Sequence, residues 1–250
     1  TKHDHMKIVS RGNSAIKAAV SLVSGSVLIP EEGGWIEYKR IKEFEEVKCN
    51  DAVIDLEDLK EKLATGKFKA FLYQNPGGYF ASQPMKEIYE LCQKNGCLVI
   101  LDVSGSIGTE LCDGNYADII VGSFGKWKLV EAHVGGFVSF KNHDLFEKVQ
   151  APGLEDPQSL LKIKEKLERL PERITFLRNK VKQIKEDLQD FEIVHKEDLG
   201  FVVVIKLATN EEKEEVINYC KKNELEYTIC PRYIRLNQDA ISIEVKRLQN

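Results

Sequence analysis

The stretch ADIIVGSFGKWKLVEAHVGGFVSF, residues 117–140, decides the fold. Two apolar, β-prone runs, 119–121 and 136–140, flank a polar segment that carries glycine and the lysines Lys126 and Lys128. Continuous apolar strands belong to sheets covered on both faces, so the pattern predicts a loop leaving a buried sheet, with Lys126 on it. A lysine at such an edge, facing a cavity, loses water; its ammonium form is disfavoured and the amine becomes a nucleophile toward carbonyl groups. An ordinary solvated loop lysine fits the same residue, so the reading turns on what stands upstream.

Immediately upstream, CLVILD (97–102) is an apolar strand ending on Asp102, a carboxylate that is costly to bury unless a cation or hydrogen-bond donors receive it. KAFLYQ (69–74) runs into Asn75-Pro76-Gly77-Gly78, where turn chemistry explains the proline and glycines and leaves the Asn75 amide free at a strand end. Helices are predicted over 83–94 and over 56–63, the latter capped by Asp55 and ended by Gly66. Farther back, KIVS gives way to Arg11-Gly12-Asn13-Ser14 and a helical pattern, which places Gly12, Asn13 and Ser14 at a helix N-terminus suited to an anion such as phosphate. Plain N-capping by Asn13 or Ser14 suits the same residues. Then come a short strand over 27–30, the EEGGWIEY turn and a helix over 39–44. Trp35, after the two glycines, is either a core or lid residue or a ring against which a planar ligand stacks.

Strand and helix alternate, and the strands are apolar throughout. The fold class is therefore α/β, a three-layer large domain with a mostly parallel sheet, in which ligands collect at the carboxyl ends of strands. Asn75, Asp102 and Lys126 should share that edge. After residue 150 a Pro-bearing connector, APGLEDPQ, leads into apolar residues spaced alternately by four and three, interrupted by Pro171, which read as helices packed on a neighbour. FEIVH, GFVVVIKLA, a helix over 211–222, EYTIC, YIRLN and AISIEVK complete a small α+β domain. The division expected is 1–150 for the large domain and 151–250 for linking helices and the small one.

Composition narrows the function classes. The 250 residues carry a formal net charge of −4, with no basic stripe for nucleic acid. No apolar run approaches the roughly 20 residues that span a bilayer, and the start of the chain lacks a signal-peptide core, so no membrane partner and a cytoplasmic location are expected. Six cysteines without a CxxC pair argue for buried free thiols, with neither a zinc site nor a disulfide frame, and no metal is expected. GSFGKW departs from a phosphate-binding loop at Ile120 and Trp127, and no G-x-G-x-x-G opens a helix.

Taken in order, these motifs resemble the fold type I pyridoxal-phosphate enzymes, the aspartate aminotransferase superfamily. The order is Gly12 to Ser14, Trp35, DLEDLKEKL, Asn75-Pro76, Asp102, Ser123-x-x-Lys126 and the pair Gly135-Gly136. The resemblance covers residues 6–150 well and the remainder in outline. It implies a pyridoxal 5'-phosphate (PLP) enzyme acting on an amino acid and a keto acid, most readily an aminotransferase, working as a homodimer. Lys126 would form the Schiff base and move the α proton, and Asp102 would pair with the pyridine nitrogen. Asn75 would bond the phenolic oxygen, with Ser104 or Ser106 a second donor to it, Trp35 would stack on the ring, and Gly12, Asn13, Ser14, Ser123 and His133 would hold the phosphate. YIRLNQ resembles the segment that supplies the carboxylate-binding arginine, pointing to Arg235, with Arg232 a lesser candidate. Lys128 is set aside because its spacing from Ser123 departs from the pattern.

Three departures bear on the chemistry. The phosphate loop begins near residue 12, so the family's N-terminal segment is expected to be missing or shortened. In DVSGS, Gly105 stands where many relatives carry a side chain that bonds the phenolic oxygen, and His133 stands where many carry a phosphate-binding arginine. A lyase or selenocysteine-synthase-like enzyme of the same fold is the alternative reaction. A shortened, non-catalytic homologue serving as a partner subunit is the alternative from another class.

Overall fold

The computed structural model describes residues 1–41 and 43–249. The chain opens with β1 (His5–Val9), α1 (Gly12–Ser21), β2 (Ser26–Pro30), α2 (Tyr38–Ile41) and β3 (Phe44–Val47). A small hairpin, β4 (Cys49–Asn50) and β5 (Val53–Ile54), precedes α3 (Leu56–Ala64), β6 (Phe68–Gln74), α4 (Met85–Lys94), β7 (Leu98–Asp102), β8 (Ile119–Ser123) and β9 (Gly136–Phe140). Seven of these strands form one sheet in the order β3-β2-β6-β7-β8-β9-β1. The run from β3 to β8 is parallel, and β9 lies antiparallel to both β8 and β1.

Both faces of the sheet are covered, which is why its central strands are apolar along most of their length, with Gln74, Asp102 and Ser123 at their carboxyl ends. Phe71, Tyr73, Val99 and Leu101 face α3 and α4 through Leu59, Leu63, Ile88 and Cys92. The alternate residues Ala70, Leu72, Ile100, Ile119 and Val121 meet Ala15, Ile16, Ala19 and Val20 of α1 on the other side. Each large aliphatic side chain buried in this way contributes about 1.5–3 kcal/mol. Asp55 caps α3 by accepting from the amides of Glu57 and Asp58, and Gly66 beyond it takes a φ of +68°.

Helices α5 (His143–Lys148), α6 (Pro157–Glu168) and α7 (Leu170–Asp187) follow. Pro171 does not break a helix; it lies in the first turn of α7, where its missing N–H costs nothing. The stripe Leu170, Ile174, Leu177, Val181 and Ile184 of α7 joins the same core cluster as Phe137, Leu101 and Val203. Strands β10 (Val203–Lys206), β11 (Tyr227–Ile229) and β12 (Ala240–Ile243) form a second, antiparallel sheet with β12 central, and α8 (Asn210–Lys222) packs on it.

Two expectations change. The helix expected over 39–44 ends at Ile41, and Phe44 opens β3; Lys42, inside that span, lies outside the described residues. A parallel partner, Val27 opposite Phe44, decides the strand, since tertiary pairing overrides local propensity. In the small unit, FEIVH forms no strand and pairs with β10 through the isolated Ile193–Ile205 bridge, and YIRLN forms a turn closed by Arg232 N–H donating to the Leu236 carbonyl at 2.7 Å. All six cysteines are free, and burial pushes the Cys49 thiol up to about 12.

Among the described residues no helix is long and apolar enough to cross a membrane, and no group of three or more His, Cys, Asp or Glu could hold a metal ion.

Candidate active site

The carboxyl ends of β1, β7 and β8 and the amino end of β9 meet at one edge of the sheet, because β9 runs against its neighbours: Val9 and Ser123 both pair with Gly136. A cavity of about 370 Å³ opens there. One wall is the start of α1. Its preceding residue, Arg11, is extended, no side chain caps the helix, and Gly12 and Asn13 line the cavity. Asn13 does not cap α1; its Oδ1 accepts from Trp35 Nε1 at 2.9 Å and fixes the indole at the cavity mouth. Gly12 is required by close approach, since a Cβ there would lie 2.5 Å from Ser123 Cβ. Ser123 and His133 complete this wall, and Ser104 also lines the cavity. Ser14 does not line it; its hydroxyl pairs with that of Ser10 at 3.1 Å.

The floor is Asp102, only 2% exposed. Its Oδ2 accepts from the Tyr38 hydroxyl at 2.7 Å and its Oδ1 from the Ser104 amide at 2.8 Å. Burial, then the neighbouring Asp102, raises the Tyr38 phenol well above its ordinary value, so it remains a donor. Among the described residues no basic side chain forms an ion pair with Asp102, which leaves a buried carboxylate facing a cavity without its cation.

The lysine that lines this cavity is Lys128. Its Nζ donates to the Tyr79 hydroxyl and stands 5.3 Å from the Trp35 ring. Lys126 is absent from the cavity walls; it is exposed, with its Nζ 4.4 Å from the Trp127 ring. The physical reason is the turn between them. Trp127 takes a φ of +62° and its amide donates to Glu131 Oε1 at 2.7 Å, which sends Lys126 outward and Lys128 inward. Glu131 is buried and also accepts from Gln249; although burial opposes it, those bonds hold its carboxyl below the usual range.

Asn75 is fully buried and outside the cavity. Its amide nitrogen donates to the Leu111 carbonyl and its oxygen accepts from the Gln83 amide, so neither group is available to a ligand. Tyr79, four residues on, lines the cavity instead.

Arg235 also departs from expectation. It is 1% exposed, and Nε and Nη2 both reach the Glu244 carboxylate, at 3.0 Å and at 2.8 and 2.6 Å. Nη1 donates to the Ile234 carbonyl. Its forks are committed internally to Glu244 and Ile234, although Arg235 also lines a cavity beside the site. Lys246 and Arg247 crowd the same glutamate, each at 3.4 Å. Burial would raise Glu244, but Arg235 and then Lys246 outweigh it and hold the carboxyl at about 2. Burial pushes the Lys246 ammonium down to about 7 despite Glu244.

A second cavity of about 420 Å³ adjoins the first, sharing Trp35, Tyr79 and Lys128. Lys126, Arg232, Arg235, Lys246 and Arg247 line it, and among the described residues no carboxylate does.

The chain's likeness to known proteins accords with this geometry. Residues 39–158 match the DegT/DnrJ/EryC1/StrS aminotransferase family, and residues 171–250 match the MJ1341 family C-terminal domain. A sequence search of curated proteins finds no match. Among solved structures, the sugar aminotransferase CalS13 from Micromonospora echinospora superposes with a TM-score of 0.75 at 15% identity, covering 99% of this chain and 84% of that one. The aminotransferase TlmJ from Streptoalloteichus hindustanus gives 0.75 at 15% identity, covering 96% and 80%. Spr1654 from Streptococcus pneumoniae, in its PLP form, gives 0.74 at 11% identity, covering 98% and 83%.

The chain has the fold of the type I PLP enzymes.

In that fold the observed donor set fits the cofactor. An uncapped helix start with a serine and a histidine suits a phosphate, a buried carboxylate lacking a cation suits a protonated pyridine nitrogen, and an amine stands across the same cavity. Sequence reasoning passed over Lys128, Tyr79, Tyr38 and Glu131. For Lys128 the signal was present, since the alternative lysine lies only two residues along; for Tyr38, buried and distant in sequence from Asp102, there was none.

Proposed function

We propose that this protein is a PLP-dependent enzyme of the aminotransferase type acting on an amino acid, with Lys128 in the role first expected of Lys126. The observation that carries the reading is Asp102, a buried carboxylate without an ion-pair partner among the described residues, on the floor of the cavity that Lys128 lines. Bound there, PLP would supply the carbonyl that takes up an amine and a ring that accepts electrons from the substrate's α carbon.

The chain's own residues do the rest. Gly12, Asn13, Ser123 and His133 would hold the phosphate, and Asp102, kept in place by Tyr38 and the Ser104 amide, would fix the ring nitrogen. Trp35, tethered to Asn13, covers the ring and excludes water from that side. Lys128 Nζ would hold the cofactor and, once freed from it, would carry the substrate's α proton. The adjoining cationic cavity would receive the anionic end of the substrate through Arg232 and Lys246, while Arg235 on the same wall stays paired with Glu244. As the resemblance implies, the reading carries a homodimer in the cytoplasm.

Borohydride treatment of the PLP-treated protein, followed by peptide mapping, tests it. Lys128 should carry the label, Lys128→Ala should abolish it, and Lys126→Ala should keep it. A label on Lys126, or none on wild type, overturns the assignment. Half-reactions with a panel of amino acids should yield pyridoxamine phosphate; ammonia or pyruvate without it would indicate a lyase.

A further inference from the structure

Tyr79 is the least expected member of the site. It is a non-glycine residue with a φ of +73°, held in the turn that follows Pro76, Gly77 and Gly78. A bulky aromatic residue is rarely found in the left-handed region, where the backbone is strained by about 1–3 kcal/mol, and strain of that kind collects at functional sites. The turn is fixed on both sides: the Tyr79 amide donates to the Pro76 carbonyl at 3.1 Å, and its own carbonyl accepts from the Phe201 amide at 3.0 Å.

The ring points to the junction of the two cavities and lines both. It occupies the space above Gly105, where a Cβ would come within 2.6 Å of Tyr79 Cδ1. Gly105 is the position at which a hydrogen-bonding side chain was missed in the sequence. The glycine there makes room for a phenol arriving from the turn that follows β6, while Asn75, expected near the phenolic oxygen, is committed to Leu111 and Gln83.

Three cations surround the ring: Lys128 Nζ at 4.8 Å, Lys246 Nζ at 4.6 Å and Arg235 Cζ at 4.9 Å from its centroid. The hydroxyl is bonded to Lys128. Protonated lysine and arginine only donate, whereas a phenol both accepts and donates, so Tyr79 is the group touching Lys128 Nζ that can pass a proton in either direction.

We propose that Tyr79 is a catalytic residue of this site, the hydroxyl that takes a proton from Lys128 Nζ and returns one when that amine combines with a carbonyl compound. The inference rests on the assignment of Lys128 above. As the C–N bond forms and the C–O bond breaks, the two protons shed by nitrogen must reach the oxygen that leaves as water. Tyr79 accepts each in turn from nitrogen and each time delivers its own to oxygen, first as the C–N bond forms and again as the C–O bond breaks, so it ends unchanged and no other reactant is needed.

The test uses the full chain without cofactor. Acetaldehyde and cyanoborohydride alkylate lysines through the same C=N link, and peptide mass spectrometry reads the rate at each lysine. Tyr79→Phe keeps the ring and its packing on Gly105. It should slow alkylation of Lys128 by about ten-fold or more while leaving the exposed Lys126 within about two-fold. Gly105→Ala, which pushes the ring aside, should reproduce the slowing. A Lys128 rate in Tyr79→Phe within about two-fold of wild type overturns the proposal. The same comparison with PLP separates this inference from the functional reading. If wild type takes up no PLP on Lys128 yet alkylation depends on Tyr79, the functional reading falls and the residue's role stands. If Tyr79→Phe takes up PLP as fast as wild type, the reverse holds.

Discussion

Replacing Glu244 by Gln removes one carboxylate from beneath three cations. The side chain is completely buried and makes a two-pronged contact with Arg235, itself buried, while Lys246 and Arg247 stand at 3.4 Å. Two routes give the size of the effect. The fall of Glu244 from its ordinary 4.5 to about 2 corresponds to about 3 kcal/mol of stabilisation. Stripping one partner from a buried ion pair costs about 3–5 kcal/mol, because the remaining charge is left uncompensated. With a urea slope of about 3 kcal/mol per molar for a chain of this size, the unfolding midpoint of Glu244→Gln should fall by about 1 M at pH 7.

The pH dependence gives a second reading of the same variant. The folded value of Glu244 lies below its unfolded value, so its contribution is complete above pH 4.5 and is lost as pH falls toward about 2. The gap between wild type and Glu244→Gln should therefore close across that window. Lys246 acts at the other end. Its folded value of about 7 lies below 10.5, so the unfolded chain holds more protons between those values and wild-type stability gains from this group as pH rises through them. A midpoint shift under about 0.3 M at pH 7, or a gap that stays constant down to pH 2, would refute the reasoning.

Gly12→Ala places a Cβ 2.5 Å from Ser123 Cβ; it should cost about 1–3 kcal/mol and weaken PLP retention at least about ten-fold in equilibrium dialysis. Tyr38→Phe deletes the 2.7 Å bond to Asp102 and leaves that buried carboxylate short of a donor, a loss of about 1–3 kcal/mol in denaturant unfolding, with weaker PLP binding as the accompanying sign. Leu177→Ala empties a fully buried position of α7 and should cost about 2–5 kcal/mol in the same assay without altering which lysine PLP labels.

Much of the scaffold was legible because it follows from local pattern. CLVILD could only be a strand covered on both faces, and Asp55 with Gly66 marked the limits of α3 before any tertiary contact was known. The resemblance to type I PLP enzymes rested on the order of such elements, and the fold bears it out. The site was harder, because its decisive residues are chosen by partners far along the chain. Whether Lys126 or Lys128 faces inward depends on Glu131 gripping the Trp127 amide, a choice that motif spacing does not encode. Asn75 is withdrawn by Leu111, 36 residues away, and Arg235 by a carboxylate nine residues on, just past the end of β12. Phe44 left its predicted helix because β2 offered it a parallel partner.

The pairing of β1 with β9 sets a schedule for synthesis. His5 lies opposite Phe140 and Val9 opposite Gly136, so the wall built from the start of α1 meets the wall that follows Lys128 only after the whole stretch between the two strands has left the ribosome. Contacts closed over so long a span are slow to form, and the early segments must wait with apolar strands uncovered. A ligand that binds only the completed edge would draw the chain toward its finished state by mass action. Supply of PLP during translation would then govern the yield of folded protein as well as its loading.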